Sequence, residues 1–69
     1  MKNHLQGIVV FYLAAKGYGY VRIPDTAEEF HFRSANLLSP VQAGDRVSFV
    51  LQQNRQGYYA DQVQLLQVV

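Results

Sequence analysis

Turn-forming clusters interrupt this sequence so often that only short extended segments fit between them. Ala14-Ala15-Lys16-Gly17, Pro24-Asp25, Pro40 with Gly44-Asp45, and Asn54-Arg55-Gln56-Gly57 are the interruptions, each built from residues that favour turns or end regular structure. The intervening segments are rich in β-branched and aromatic residues, which suit a pleated surface. Leu5 to Leu13, with its run Ile8-Val9-Val10-Phe11-Tyr12-Leu13, predicts a first strand, and Tyr18-Gly19-Tyr20-Val21-Arg22-Ile23 a second. Strict alternation puts Tyr18, Tyr20 and Arg22 on one face of the second strand. The polar stretch Thr26-Ala27-Glu28-Glu29 leads to a short third strand, Phe30-His31-Phe32-Arg33, after which Ser34-Ala35-Asn36 makes a single helical turn. Arg46 to Gln52 and Tyr58 to Leu65 predict strands four and five, with Val63 and Leu65 on the same face. No segment carries an amphipathic helical pattern, and no internal repeat or low-complexity tract is present. Five short strands imply an all-β fold, a small barrel that closes to leave no sheet edge exposed.

A length of 69 residues allows one domain, residues 1–69, and a core of modest size. The absence of cysteine removes disulfides and thiolate metal sites and suits a reducing compartment, so a cytoplasmic location is the default expectation. Met1 to Leu5 carries one basic residue and no continuous apolar run, so neither a signal peptide nor a membrane span is expected. Six Lys and Arg against five Asp and Glu leave a net charge of +1, far from the strongly basic balance of electrostatic nucleic-acid binders. Aromatic residues make the opposite case. Five Tyr and four Phe, 13% of the chain, are more rings than a small core readily absorbs.

Their placement carries the chemistry. Gly19 weakens a strand interior, and one reason to tolerate it is the close approach of a neighbouring backbone or ring while the flanking Tyr18 and Tyr20 stand on the other face. Two rings so spaced, roughly 7 Å apart along a strand, can take successive unpaired bases, and base–aromatic stacking contributes about 1–3 kcal/mol per base whatever the base. The competing account makes both tyrosines ordinary half-buried strand residues. Phe30 and Phe32 also alternate, on a strand expected to pair with the second, so they would extend the Tyr18–Tyr20 surface sideways. A buried cluster competes here too, but Ile8, Val9, Val21, Ile23, Val47, Phe49, Leu51, Val63 and Leu65 already supply a core.

Gly7 to Tyr12, Lys16 to Val21, Phe30 to Ala35 and Gly44 to Phe49 resemble, in order and spacing, the blocks of the cold-shock domain family, and the resemblance covers nearly the whole chain. Lys16-Gly17-Tyr18-Gly19-Tyr20-Val21 is similar to that family's first RNP motif and the segment from Phe30 to its second. The resemblance implies a five-stranded antiparallel OB-fold barrel that binds single-stranded RNA or DNA without catalysis, often as an RNA chaperone. It assigns Phe11, Tyr18, Tyr20 and Phe30 to stacking positions and Lys16 to the phosphates. Tyrosine hydroxyls add hydrogen-bonding capacity. Two departures weaken the expected affinity: Val10 stands where the family commonly has Lys, and the segment from Asn36 to Gly44 is short and lacks an aromatic residue. Tyr58 or Tyr59 can replace the missing ring, but adjacent strand residues point oppositely, and Tyr59 is taken as the one that does.

In the third strand, alignment through Ser34-Ala35 without a gap puts Phe30 and Phe32 on the ligand face, Arg33 beside it and His31 inward. A one-residue slip reverses this, because the side-chain period is two. The ungapped register is adopted, since it keeps Phe30 as a stacking ring. Arg33 then offers a guanidinium plane to bases and charge to phosphate.

Other chemistry finds little support. His4 and His31 lack the spacing of a ligand pair and no cysteine supplements them, so neither a metal nor another cofactor is expected. Ser34 has no His and Asp partners or nucleophile-elbow glycines and is assigned instead to capping the helical turn. Scattered acidic residues form no acid–base pair, so neither enzymatic activity nor a small-molecule substrate is expected. A monomer is the simplest state for a closed barrel. The alternative reading is a small OB- or SH3-like barrel that binds a protein partner through the same apolar face.

Overall fold

The computed structural model describes residues 4–66. Its strands are β1 (His4–Leu13), β2 (Tyr18–Arg22), β3 (Glu29–Arg33), β4 (Arg46–Asn54) and β5 (Gly57–Leu65), with one 3-10 turn, Ser34–Asn36, after β3. They close into a barrel in the order β1-β2-β3-β5-β4. β1 lies antiparallel to both β2 and β4, β2 to β3, and β4 to β5. The exception to the expected antiparallel barrel is the closing contact, where β3 and β5 run parallel through the pair His31↔Tyr59. Both strands come to that seam from different hairpins, so no turn dictates their relative direction.

Two register shifts set which side chains face inward. Val9 pairs with Val21 but Phe11 pairs with Tyr20, leaving Val10 as an extra residue in β1. A bulge of this kind changes the alternation phase and re-aims the next side chain. Val9 is therefore buried, Phe11 joins Tyr20 on the outer face, and Tyr12 packs against the core. In β5, Ser48↔Gln64 and Val50↔Asp61 leave one residue in excess, and Gln62 takes a φ of 50°. The second shift brings both Ala60 and Val63 fully inside.

The core consists of Val9, Val21, Phe32, Val41, Val47, Phe49, Ala60 and Val63, with Leu5, Tyr12, Ile23, Phe30, Leu37 and Leu51 packed around it. Each large side chain buried contributes about 1.5–3 kcal/mol relative to exposure. Val9, Val21, Val47, Phe49 and Val63 are where the sequence reading put them. Ile8 is only half-buried and Leu65 remains 37% exposed, while Phe32 and Val41, the latter from the segment before β4, are buried in the core. Ser34 is not a cap: Arg33 holds the N-cap position, and its N–H donates to Asn36 Oδ1 at 2.8 Å. No helix among the described residues is long and apolar enough to cross a membrane.

Candidate nucleic-acid interface

The outer faces of β1, β2, β3 and β5 carry side chains in rows, because directly paired residues in a sheet project to the same side. One row reads Phe11, Tyr20, His31 and Tyr59 across all four strands. The row beside it reads Leu13, Tyr18 and Arg33. Phe11 and Tyr20 have ring centroids 5.4 Å apart, and Tyr20 meets His31 edge-on at 5.7 Å. Tyr18 touches Phe11 edge-on at 6.0 Å and stacks on His31 at 6.0 Å. The four rings thus form a closed cluster, with each tyrosine bridging Phe11 and His31. All four are half-buried, so the cluster is braced by its own contacts while part of each ring faces solvent.

Gly19 makes this arrangement possible. A Cβ there would clash with Phe11 O and lie 2.8 Å from Phe32 Cζ, so both a backbone and a ring approach it, as its position between two tyrosines predicts. Phe32, its Cα partner across the β2–β3 pair, is fully buried and stacks on Tyr12 at 5.7 Å.

The register of β3 is therefore the slipped one, and the adopted reading is corrected. Phe30 pairs with Val21 and Phe32 with Gly19, both inward-facing positions. Phe30 packs on Phe49 at 6.1 Å and Phe32 has no exposure. Neither lies on the outer aromatic face, and His31, assigned to the interior, lies in the middle of it. The absence of a side chain at Gly19 leaves the room that the Phe32 ring fills.

The other assigned residues gather around the rings. Lys16 is exposed in the turn after β1, whose backbone closes on Leu13 O, so it stands at the Leu13–Tyr18–Arg33 end of the face. Arg33 is exposed and borders a cleft of about 290 Å³ that His31, Ala35, Asn36, Asn54, Gln56 and Tyr59 also line. Tyr59 is half-buried in that cleft, while Tyr58 is 58% exposed. Asn36 fixes the cleft wall, for its Nδ2 donates to Asp61 Oδ1 at 3.1 Å. The amides of Asn36, Asn54 and Gln56 escaped sequence reading because they converge only when the barrel closes. At the far end of the face, Arg22 and Glu29 are paired across β2 and β3 and joined by an ion pair of 2.7 Å. No cluster of His, Cys, Asp or Glu among the described residues has the makings of a metal site.

A barrel of this topology with an outward ring cluster over β1, β2 and β3 can hold flat, unpaired bases and a phosphate backbone beside them. Comparison with known proteins identifies the family. Residues 5–66 match the family model described as 'Cold-shock' DNA-binding domain. The chain is also similar to the major cold shock protein CspA of Pseudomonas aeruginosa, with 34% identity over 96% of this chain and 100% of that protein. The expected five-stranded all-β barrel and the resemblance carried by Lys16 to Val21 agree with both comparisons, and the chain belongs to the cold-shock domain family of nucleic-acid-binding domains.

Proposed function

We propose that this chain binds single-stranded RNA or DNA by stacking unpaired bases on Phe11, Tyr18, Tyr20 and His31, as an RNA chaperone or a regulator of transcription or translation. The observation that carries the reading is the closed four-ring cluster on one face of the barrel. Stacking needs π-faces that pairing conceals, so the preference for single strands follows from the chemistry of the site. Tyr59 extends the ring row across the β3–β5 seam, and its cleft offers amide groups to a base edge. Lys16 and Arg33 stand where phosphates would pass. The chain acts as a cytoplasmic monomer, and its function is binding without catalysis or cofactor.

Titration with a short unstructured oligonucleotide, followed by tyrosine emission, tests this directly. The chain has no Trp, so the signal comes from tyrosines and two of them lie in the cluster. Binding to the single strand is expected to be about tenfold or more tighter than to the matching duplex. Equal affinity for both forms would defeat the proposal, and binding to neither would favour a protein partner on the same face.

A further inference from the structure

The ring rows end in a third row of different character. Two residues beyond Tyr20 and two before His31, the paired positions are Arg22 and Glu29, with Ile8 completing the row on β1. Alternation puts Arg22 on the same face as Tyr18 and Tyr20, so its guanidinium is a third cation within reach of a bound strand. It is already occupied. Its Nε and Nη2 both donate to Glu29 Oε2, at 3.2 and 2.7 Å.

We infer that the Arg22–Glu29 ion pair marks one end of the nucleic-acid track and keeps Arg22 off the phosphates. The inference rests on the proposed single-strand reading of the aromatic face and concerns where the bound strand stops. Three observations converge on this boundary. A phosphate approaching Arg22 meets a charge already neutralised, with a carboxylate beside it that repels the incoming anion. The row supplies no ring, and the hollow next to it, about 260 Å³, is lined by Ile8, Val9, Val10 and Pro24 besides Arg22, so stacking also ends there. At the opposite end, neither Lys16 nor Arg33 takes part in an ion pair among the described residues. The face is therefore polar in charge, open to phosphate at the Tyr18 end and closed at the Arg22 end.

The strands do not need the pair to hold together. Both side chains are well exposed, 50% for Arg22 and 38% for Glu29, and ion pairs of this kind add little to stability. Glu29→Gln and Arg22→Gln variants are thus expected to fold, which thermal melting followed by circular dichroism verifies before binding is measured.

The experiment measures affinity and its salt dependence for oligothymidylates of about four to about sixteen nucleotides, a range that spans the site sizes of such barrels. Glu29→Gln should bind the longer oligomers about threefold more tightly and steepen the salt slope by about 0.7, the increment for one added phosphate contact on a single strand. The shortest oligomers, held by the rings and the cations at the Tyr18 end without reaching Arg22, should gain nothing. Arg22→Gln should match the unmodified chain in salt slope, and the double variant should lose the gain made by Glu29→Gln. No gain for Glu29→Gln overturns the inference. A shallower slope for Arg22→Gln also overturns it, because the arginine would then already touch phosphate. Retention of the gain in the double variant would assign it to Glu29 repulsion and remove Arg22 from the account. Failure of the unmodified chain to bind any of these oligomers would bring down the reading of the face itself, a result separable from the others.

Discussion

The ring of Phe32 occupies the space above Gly19, with Phe32 Cζ 2.8 Å from where a side chain on that glycine would begin. The two residues are direct partners across β2 and β3, and the pairing sorts the surrounding side chains. With Phe32 sunk between Gly19 and Tyr12, its neighbours His31 and Arg33 must face outward, beside Tyr20 and Tyr18.

Gly19→Ala is therefore expected to destabilise the domain, by about 1–3 kcal/mol or more, as overpacking does when neighbours cannot move away. A Cβ on Gly19 would also clash with Phe11 O, a backbone atom, so shortening Phe32 to Leu in the same chain should recover only part of the loss. Urea denaturation of the single and double variants measures both effects. A Gly19→Ala domain as stable as the parent would show that the close approach is not a constraint.

His31 and Phe32 should separate stability from binding. Phe32→Ala removes a fully buried ring and is expected to cost about 3–5 kcal/mol, enough to unfold much of a domain this small. His31→Ala removes a half-buried ring that touches Tyr18 and Tyr20; it should leave the barrel folded and weaken oligonucleotide binding. A folded Phe32→Ala chain that has lost only binding would restore the opposite register of β3.

That register is the part of the site least legible in the sequence, for a physical reason. Phe30-His31-Phe32-Arg33 places side chains able to stack on a base on both faces, so hydrophobic alternation does not fix its phase. The phase is decided across the sheet, by a glycine on a different strand. Strand limits were legible because Gly17, Pro24, Gly44 and Gly57 interrupt the pattern locally, and Tyr18 and Tyr20 were legible because Gly19 separates them. The bulges at Val10 and Gln62 leave no local signature, yet they determine that Phe11 faces outward and that Val63 faces inward. The burial of Val41, like the parallel seam between His31 and Tyr59, depends on contacts between segments distant in sequence, which periodicity cannot reach.

Tyr20 is the ring most central to the cluster's row, with Phe11 on one side and His31 on the other. Tyr20→Ala is expected to weaken single-strand binding by about 1–3 kcal/mol and to leave the fold intact, since the residue makes no part of the buried core. Tyr20→Phe should keep most of the affinity if stacking dominates, and any remaining loss measures what the hydroxyl adds. Fluorescence titration beside a thermal melt distinguishes these outcomes. An unfolded Tyr20→Ala chain would mean that the cluster is structural.

Salt dependence follows from how the cations are placed. The net charge is only +1, and one of the outward arginines, Arg22, is tied to Glu29. Lys16 and Arg33 remain, both exposed and both at the Tyr18 end of the face. One to three phosphate contacts on a single strand correspond to a slope of log affinity against log salt of about −0.7 for each contact. The measured slope should therefore be shallow, and Lys16→Gln or Arg33→Gln should each reduce it by about 0.7 while leaving the stacking contribution in place. High salt should then weaken binding without abolishing it, because the rings hold bases by contacts that ions do not screen. A slope several times steeper would mean that phosphates find cations beyond these two. Complete indifference to salt would exclude Lys16 and Arg33 from the interface and leave the rings as its sole source of affinity.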